Sequence, residues 1–121
     1  MGIGGEMIKG KVVAIDFDGT ITKENVFPDI GELREHVKEA IDTIAKNNTV
    51  CIWTCRADAY AIAAYNFLNL KNITFSYFNK SPHDIINPNG RKIIADIYID
   101  DRNLFANIDW YKIEKYFMES E

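Results

Sequence analysis

The feature of this chain that most restricts its fold is a set of short apolar runs that do not alternate with polar residues. Val12–Ile15 is wholly apolar, and Asp16-Phe17-Asp18-Gly19-Thr20 follows at once. A strand with one wet face alternates apolar and polar residues, whereas a strand buried on both faces reads as a continuous apolar run. Thr49–Trp53 is a second such run, and Ile73–Phe78 and Ile93–Ile99 read as third and fourth strands. Helical patterns lie between them. Gly31–Lys46 places Leu33, Val37, Ile41 and Ile44 on one side and Arg34, Glu35, Lys38 and Glu39 on the other. Asp58–Leu70 is an Ala-rich helix, and Asp109–Met118 closes the chain with Trp110, Ile113 and Phe117 as its apolar face. Ser81–Gly90 carries two prolines and an Asn-Gly pair and is loop and turn.

Strands alternating with helices predict an α/β domain with a mainly parallel sheet. The expectation is one Rossmann-like, three-layer domain over residues 11–121, with sheet order 4-1-2-3, helices on both faces, and residues 1–10 as a flexible lead-in. At 121 residues, 47% apolar and 26% charged, the chain is long enough to bury a core without disulfides or a structural metal. A net charge of -4 weighs against nucleic-acid and membrane-surface partners, which call for a basic patch. No apolar run approaches the ~20 residues of a membrane span, and the first residues lack the basic-then-apolar form of a signal peptide. Cys51 and Cys55 are close neighbours on or beside one strand and read as reduced thiols, so a cytoplasmic location is expected. A zinc site built from them and His83 lacks the usual Cys/His spacing, and neither His36 nor His83 is given a role.

The acidic residues are unevenly placed. Asp16 and Asp18 follow the first strand, Asp100 and Asp101 follow the fourth, and Thr54 follows the second. Open parallel sheets bind ligands outside the carboxyl ends of their strands. If strands one and four are neighbours, the carboxylates meet at one edge and repel one another unless a cation sits among them. Oxygen ligands suit a hard ion, and magnesium is the default at a phosphate site. Alternation along the chain sends Asp16 and Asp18 to the same side, so one carboxylate can attack phosphorus while the other handles a proton. Gly19 permits a sharp exit from the strand.

At this level of detail the sequence resembles the haloacid dehalogenase superfamily of phosphohydrolases, from Val12 to about Trp110. Four motifs occur in that family's order: Asp16-Phe17-Asp18-Gly19-Thr20; an apolar strand ending in a hydroxyl, Val50-Cys51-Ile52-Trp53-Thr54; a lysine; and an apolar strand ending in acids, Ile97-Tyr98-Ile99-Asp100-Asp101. The resemblance implies that Asp16 is the nucleophile and that Asp18 protonates the leaving group and then activates water. It implies that Thr54 and a lysine hold the phosphoryl oxygens. Magnesium would be bound by Asp16, the backbone carbonyl of Asp18 and Asp100, with Asp101 in support. Lys92 is the preferred lysine because it opens the last strand, as in small capless members, and Lys80 is the second candidate. Gly19, Thr20, Arg56 and Lys80 are expected on the substrate side. Arg56 and Arg102 could each clamp a phosphate or a substrate group, or form an ion pair with the aspartates.

About 35 residues separate Asp18 from Thr54, and about as many separate Thr54 from Lys92. Neither gap holds a cap domain. Substrate choice would then rest on Thr22–Ile30 and Ser81–Arg91, or on a second subunit shielding the open site. The expected activity is hydrolysis of a small phosphorylated metabolite, a sugar phosphate or a nucleotide. The alternatives are a nucleic-acid-end (3′-phosphate) phosphatase, which Thr54-Cys55-Arg56 and Asp100-Asp101-Arg102 bring to mind, and a catalytically inactive binding module of the same fold. A phosphoacceptor receiver domain has the opposite chain order, with its acidic pair first.

Overall fold

The computed structural model describes residues 8–80, 82, 94–102, 104 and 106–118. Their elements run β1 (Val12–Asp16), α1 (Val37–Ala45), β2 (Thr49–Trp53), α2 (Asp58–Leu70), β3 (Tyr77–Phe78), β4 (Ile97–Ile99) and α3 (Trp110–Phe117). The strands form one sheet in the order β3-β2-β1-β4, every pair parallel. This is the expected 4-1-2-3 order. Val12, Val13, Ala14 and Ile15 are all buried, as a central strand covered on both faces requires.

One face of the sheet presents Val13, Ile15, Val50 and Ile52 to the main core. That core also takes Val37, Ala40, Ile41 and Ile44 of α1, Ala64 and Leu68 of α2, and Trp110 and Phe117 of α3. The opposite face, with Val12, Ala14, Cys51 and Trp53, packs against Tyr77, Ala95 and Tyr98. Helices were expected on both faces; among the described residues, all three helices contribute to the Val13/Ile15 side.

Four elements are shorter than the sequence reading, each for a local reason. The first helix begins at Val37 rather than Gly31. The preceding residues are tied to the segment after β1 instead: the amide of Lys23 donates to Glu32 O (2.8 Å), that of Arg34 donates to Ile21 O (2.9 Å), and Leu33 bridges Thr22. His36 then stands at φ 68°, outside helical space. The third strand is Tyr77–Phe78, because Ile73 belongs to the end of α2. Asn72 adopts a left-handed φ of 59°, its N–H reaches Asn69 O (3.1 Å), and the Ile73 N–H reaches Leu68 O (3.0 Å). That pair of bonds is a Schellman stop, with buried Ile73 supplying its apolar contact. The fourth strand starts at Ile97, since the Asp96 carboxylate accepts the Val12 N–H (2.8 Å) and holds the chain just ahead of the ladder. Ile93 lies outside the described residues. The closing helix is shorter by one residue at each end, with Asp109 as its N-cap, accepting from the amides of Tyr111 (3.0 Å) and Lys112 (3.3 Å). No helix among the described residues is long and apolar enough to cross a membrane.

Trp110 joins this core to the loop after β1. It is buried, and its indole Nε1–H donates to Thr20 O at 2.9 Å. Trp110→Phe removes that donor and part of the core volume, so it should lower unfolding free energy by about 1–3 kcal/mol. Urea denaturation checks this, and an unchanged midpoint would mean that the contact is dispensable.

Candidate active site

β1 and β4 set the site. Their register pairs Val13 with Ile97 and Ile15 with Ile99, so Asp16 and Asp100 leave the sheet side by side at its carboxyl edge. Asp16, Asp100 and Asp101 each offer a carboxylate oxygen within 4.8 Å of the others. Burial raises the pKa of Asp16 first, the charge of Asp100 second, and the charge and hydrogen-bonding contact of Asp101 further; a hydrogen bond from Thr20 works the other way, and the result is about 7. Asp101 Oδ1 is buried without a hydrogen-bond partner among the described residues. A crowded, partly desolvated set of carboxylates with an orphaned oxygen is a donor set that fits a hard divalent cation.

The chain after β1 is closed into a wide turn by Thr22 N–H bonding back to Phe17 O (3.3 Å). Gly19 sits there at φ 85°. A side chain at that point would be strained by the backbone and would also press on the Asp101 carboxylate, whose Cγ lies 3.2 Å from the position of a Cβ. The Gly19 N–H donates to Thr22 Oγ1 (3.0 Å), and its carbonyl accepts from Arg34 Nη2 (2.7 Å). Thr20 is fully buried; its hydroxyl donates to Asp16 Oδ2 (3.1 Å) and accepts the Asp101 N–H (3.0 Å). Gly19 and Thr20 were expected to face substrate. Both are instead buried parts of the frame that spaces Asp16 from Asp101.

Asp18 is placed differently from its neighbours. Its carboxylate is not in the acidic cluster but receives a two-pronged ion pair from Arg56, with Nε to Oδ2 and Nη2 to Oδ1 both at 2.8 Å. Arg56 also donates through Nη1 to Pro28 O (3.0 Å) and through Nη2 to Asp29 O, and its guanidinium lies over Phe17 and Phe27. With every nitrogen engaged and the side chain only 2% exposed, Arg56 is no phosphate clamp; of the two readings open to it, the ion pair is the one formed. The Asp18 side chain is thus committed to Arg56 and not to the acidic cluster.

Thr54 follows β2 one position beyond the Asp16–Trp53 pair. Its amide donates to Asn79 Oδ1 (2.8 Å), and its hydroxyl oxygen accepts the Arg56 N–H (3.1 Å). Asn79 itself stands at φ 59°, a conformation that asparagine tolerates better than most residues. The sequence reading missed Asn79, Thr22, Arg34 and Trp110, which position the site without belonging to any of its motifs. Lys80 is exposed, next to Asn79 at the carboxyl edge of β3. Lys92 and His83 lie outside the described residues. Arg102 is exposed, and its amide donates to Asp100 Oδ1 (3.0 Å), which orients that carboxylate. Cys51 is buried and Cys55 is exposed, and neither forms a disulfide among the described residues.

No family model matches the chain. No curated protein matches it either. Among solved structures it is similar to a conserved protein of Bacteroides thetaiotaomicron, with 29% sequence identity and a TM-score of 0.76 over 88% of each chain. The shared α/β fold therefore takes in most of both proteins.

The raised pKa of Asp16 has a consequence for stability. A carboxyl that holds its proton more tightly when folded makes folding less favourable as pH rises from the ordinary carboxylate range through about 7. Without metal, the wild-type Tm should fall across that window relative to Asp16→Asn. Magnesium should restore it most at the alkaline end, where protons no longer compete. Thermal unfolding in chelator and in magnesium checks both, and a Tm indifferent to magnesium contradicts a cation-holding cluster.

Proposed function

We propose that this protein is a magnesium-dependent phosphomonoester hydrolase that works through a phosphorylated Asp16. The observation that carries this reading is the juxtaposition of Asp16 with Asp100 and Asp101 at the carboxyl edge of the sheet, while Asp18 is held apart from them by Arg56. Two carboxylates two residues apart are thus given different surroundings: Asp16 lies among acids, where a bound cation would keep it ionised for attack, and Asp18 is oriented by a guanidinium. The resemblance to the haloacid dehalogenase superfamily supports the same assignment.

Asp16, Asp100 and the Asp18 carbonyl, with Asp101, would hold the magnesium, which when bound offsets the carboxylate and phosphoryl charge. A carboxylate oxygen of Asp16 attacks phosphorus as the ester P–O bond breaks, and the departing oxygen takes a proton from Asp18. Water then attacks the same phosphorus and gives a proton to Asp18, so phosphate leaves and both carboxyl groups return to their starting state. Each oxygen of Asp18 has lone-pair capacity beyond its one Arg56 contact, so the ion pair orients the group without blocking it. The Thr54 hydroxyl accepts from the Arg56 amide and can donate its own hydrogen to a phosphoryl oxygen. Lys92 is the proposed second phosphoryl contact, with Lys80 as the alternative.

A panel of phosphomonoesters assayed with magnesium tests the proposal. Hydrolysis should occur with magnesium and stop in chelator. Asp16→Asn should abolish it, and Asp18→Asn should lower kcat by about 10²–10⁴-fold on esters of ordinary alcohols. Full activity in chelator, or normal turnover by Asp16→Asn, would sink the reading.

A further inference from the structure

Beside Asp18 lies a second feature that the proposed chemistry does not use. A cavity of about 410 Å³ is lined by Asp18, Asn25, Phe27, Cys55, Arg56 and Tyr60. Phe27 and Tyr60 meet edge to face with ring centroids 5.1 Å apart, yet remain 52% and 49% exposed. Large aromatic side chains left half open at a cleft are available as stacking surfaces. Asn25 accepts the Phe27 N–H through Oδ1 (3.1 Å), which leaves its amide donors for a ligand. The one cation among the described lining residues is Arg56, and its nitrogens are already engaged by Asp18 and by the carbonyls of Pro28 and Asp29.

The position of Asp18 decides which part of a substrate would enter. A group that protonates the leaving oxygen must touch it, and Asp18 is both that group and part of the cavity wall. The phosphoryl group belongs with Asp16, so the organic half of the ester extends past Asp18 toward Phe27 and Tyr60. With no uncommitted positive charge in the described lining, the cavity does not suit a second phosphate or a carboxylate. We infer that this aromatic cavity selects phosphomonoesters of an uncharged alcohol bearing a planar ring, a nucleoside monophosphate being the simplest case. The inference rests on the phosphomonoester reading above and narrows its substrate class.

Adenosine 5′-monophosphate and ribose 5-phosphate share the same primary-alcohol leaving oxygen and differ in the base, so their kcat/KM ratio isolates ring recognition. The ratio should favour the nucleotide by about 5- to 150-fold, the span that loss of base–aromatic stacking produces. Tyr60→Ala should bring it down severalfold. Phe27→Leu, which keeps bulk over Arg56 while removing the ring, should do the same. A wild-type ratio near one, or a ratio that neither variant changes, overturns the inference and leaves the hydrolase reading standing. Calorimetric binding of the nucleotide to Asp16→Asn, with and without Tyr60→Ala, separates the two claims. Tyr60-dependent binding without hydrolysis of either ester supports the cavity and overturns the hydrolase; absence of both overturns both.

Discussion

The rest of the structure depends on how β1 and β4 pair. Their parallel register delivers Asp16 and Asp100 to the same edge, and Asp101 follows directly. Like charges at about 4 Å repel by ~1 kcal/mol in water and ~4 kcal/mol at an effective dielectric near 20. Three carboxylates packed as these are cannot all stay ionised without help. The protein answers in the absence of a cation by holding a proton on Asp16 to about pH 7. A divalent ion would satisfy the same cluster with all its members charged.

Around that cluster the packing removes freedom. Gly19 lets the chain turn against Asp101, and Thr20 ties Asp16 to the backbone of Asp101. Arg34, just ahead of α1, and Trp110, the first residue of α3, hold the carbonyls of Gly19 and Thr20. Arg56 fixes Asp18 and at the same time anchors the carbonyls of Pro28 and Asp29, so one buried guanidinium sets both the proposed acid–base group and the loop that bears Phe27. Fixed dipoles and charges of this kind are what electrostatic preorganisation requires, since they need no rearrangement as charge moves. Truncating Arg56 would leave Asp18 half-buried without its partner, which is a larger perturbation than the loss of one surface ion pair.

The sheet was legible in the sequence because Val12–Ile15 and Val50–Trp53 have no polar residue to put in water, and a doubly covered parallel strand is what such runs form. The place of Asp16, Thr54 and Asp100 followed from that, since each ends an apolar run. Helix starts and short edge strands were less legible. Leu33 continues the spacing of Val37 and Ile41, but its backbone pairs with Thr22, and Ile73 looks like strand while closing a helix. Periodicity reports which residues are buried, and several backbone paths can bury the same residue. The frame residues were the hardest to find: nothing in the composition around Arg34, Asn79 or Trp110 marks them, because their partners are backbone groups far away in the chain.

The most direct measurement is the location of the covalent phosphate. The Asp18→Asn protein, mixed with magnesium and an activated phosphate ester and quenched in acid, keeps its nucleophile but lacks the base for the water step. An activated leaving group needs little protonation, so phospho-enzyme should accumulate. Borohydride reduction followed by peptide mass spectrometry should place the adduct on Asp16 alone. An adduct on another residue, or turnover without any adduct at Asp16, would contradict the account.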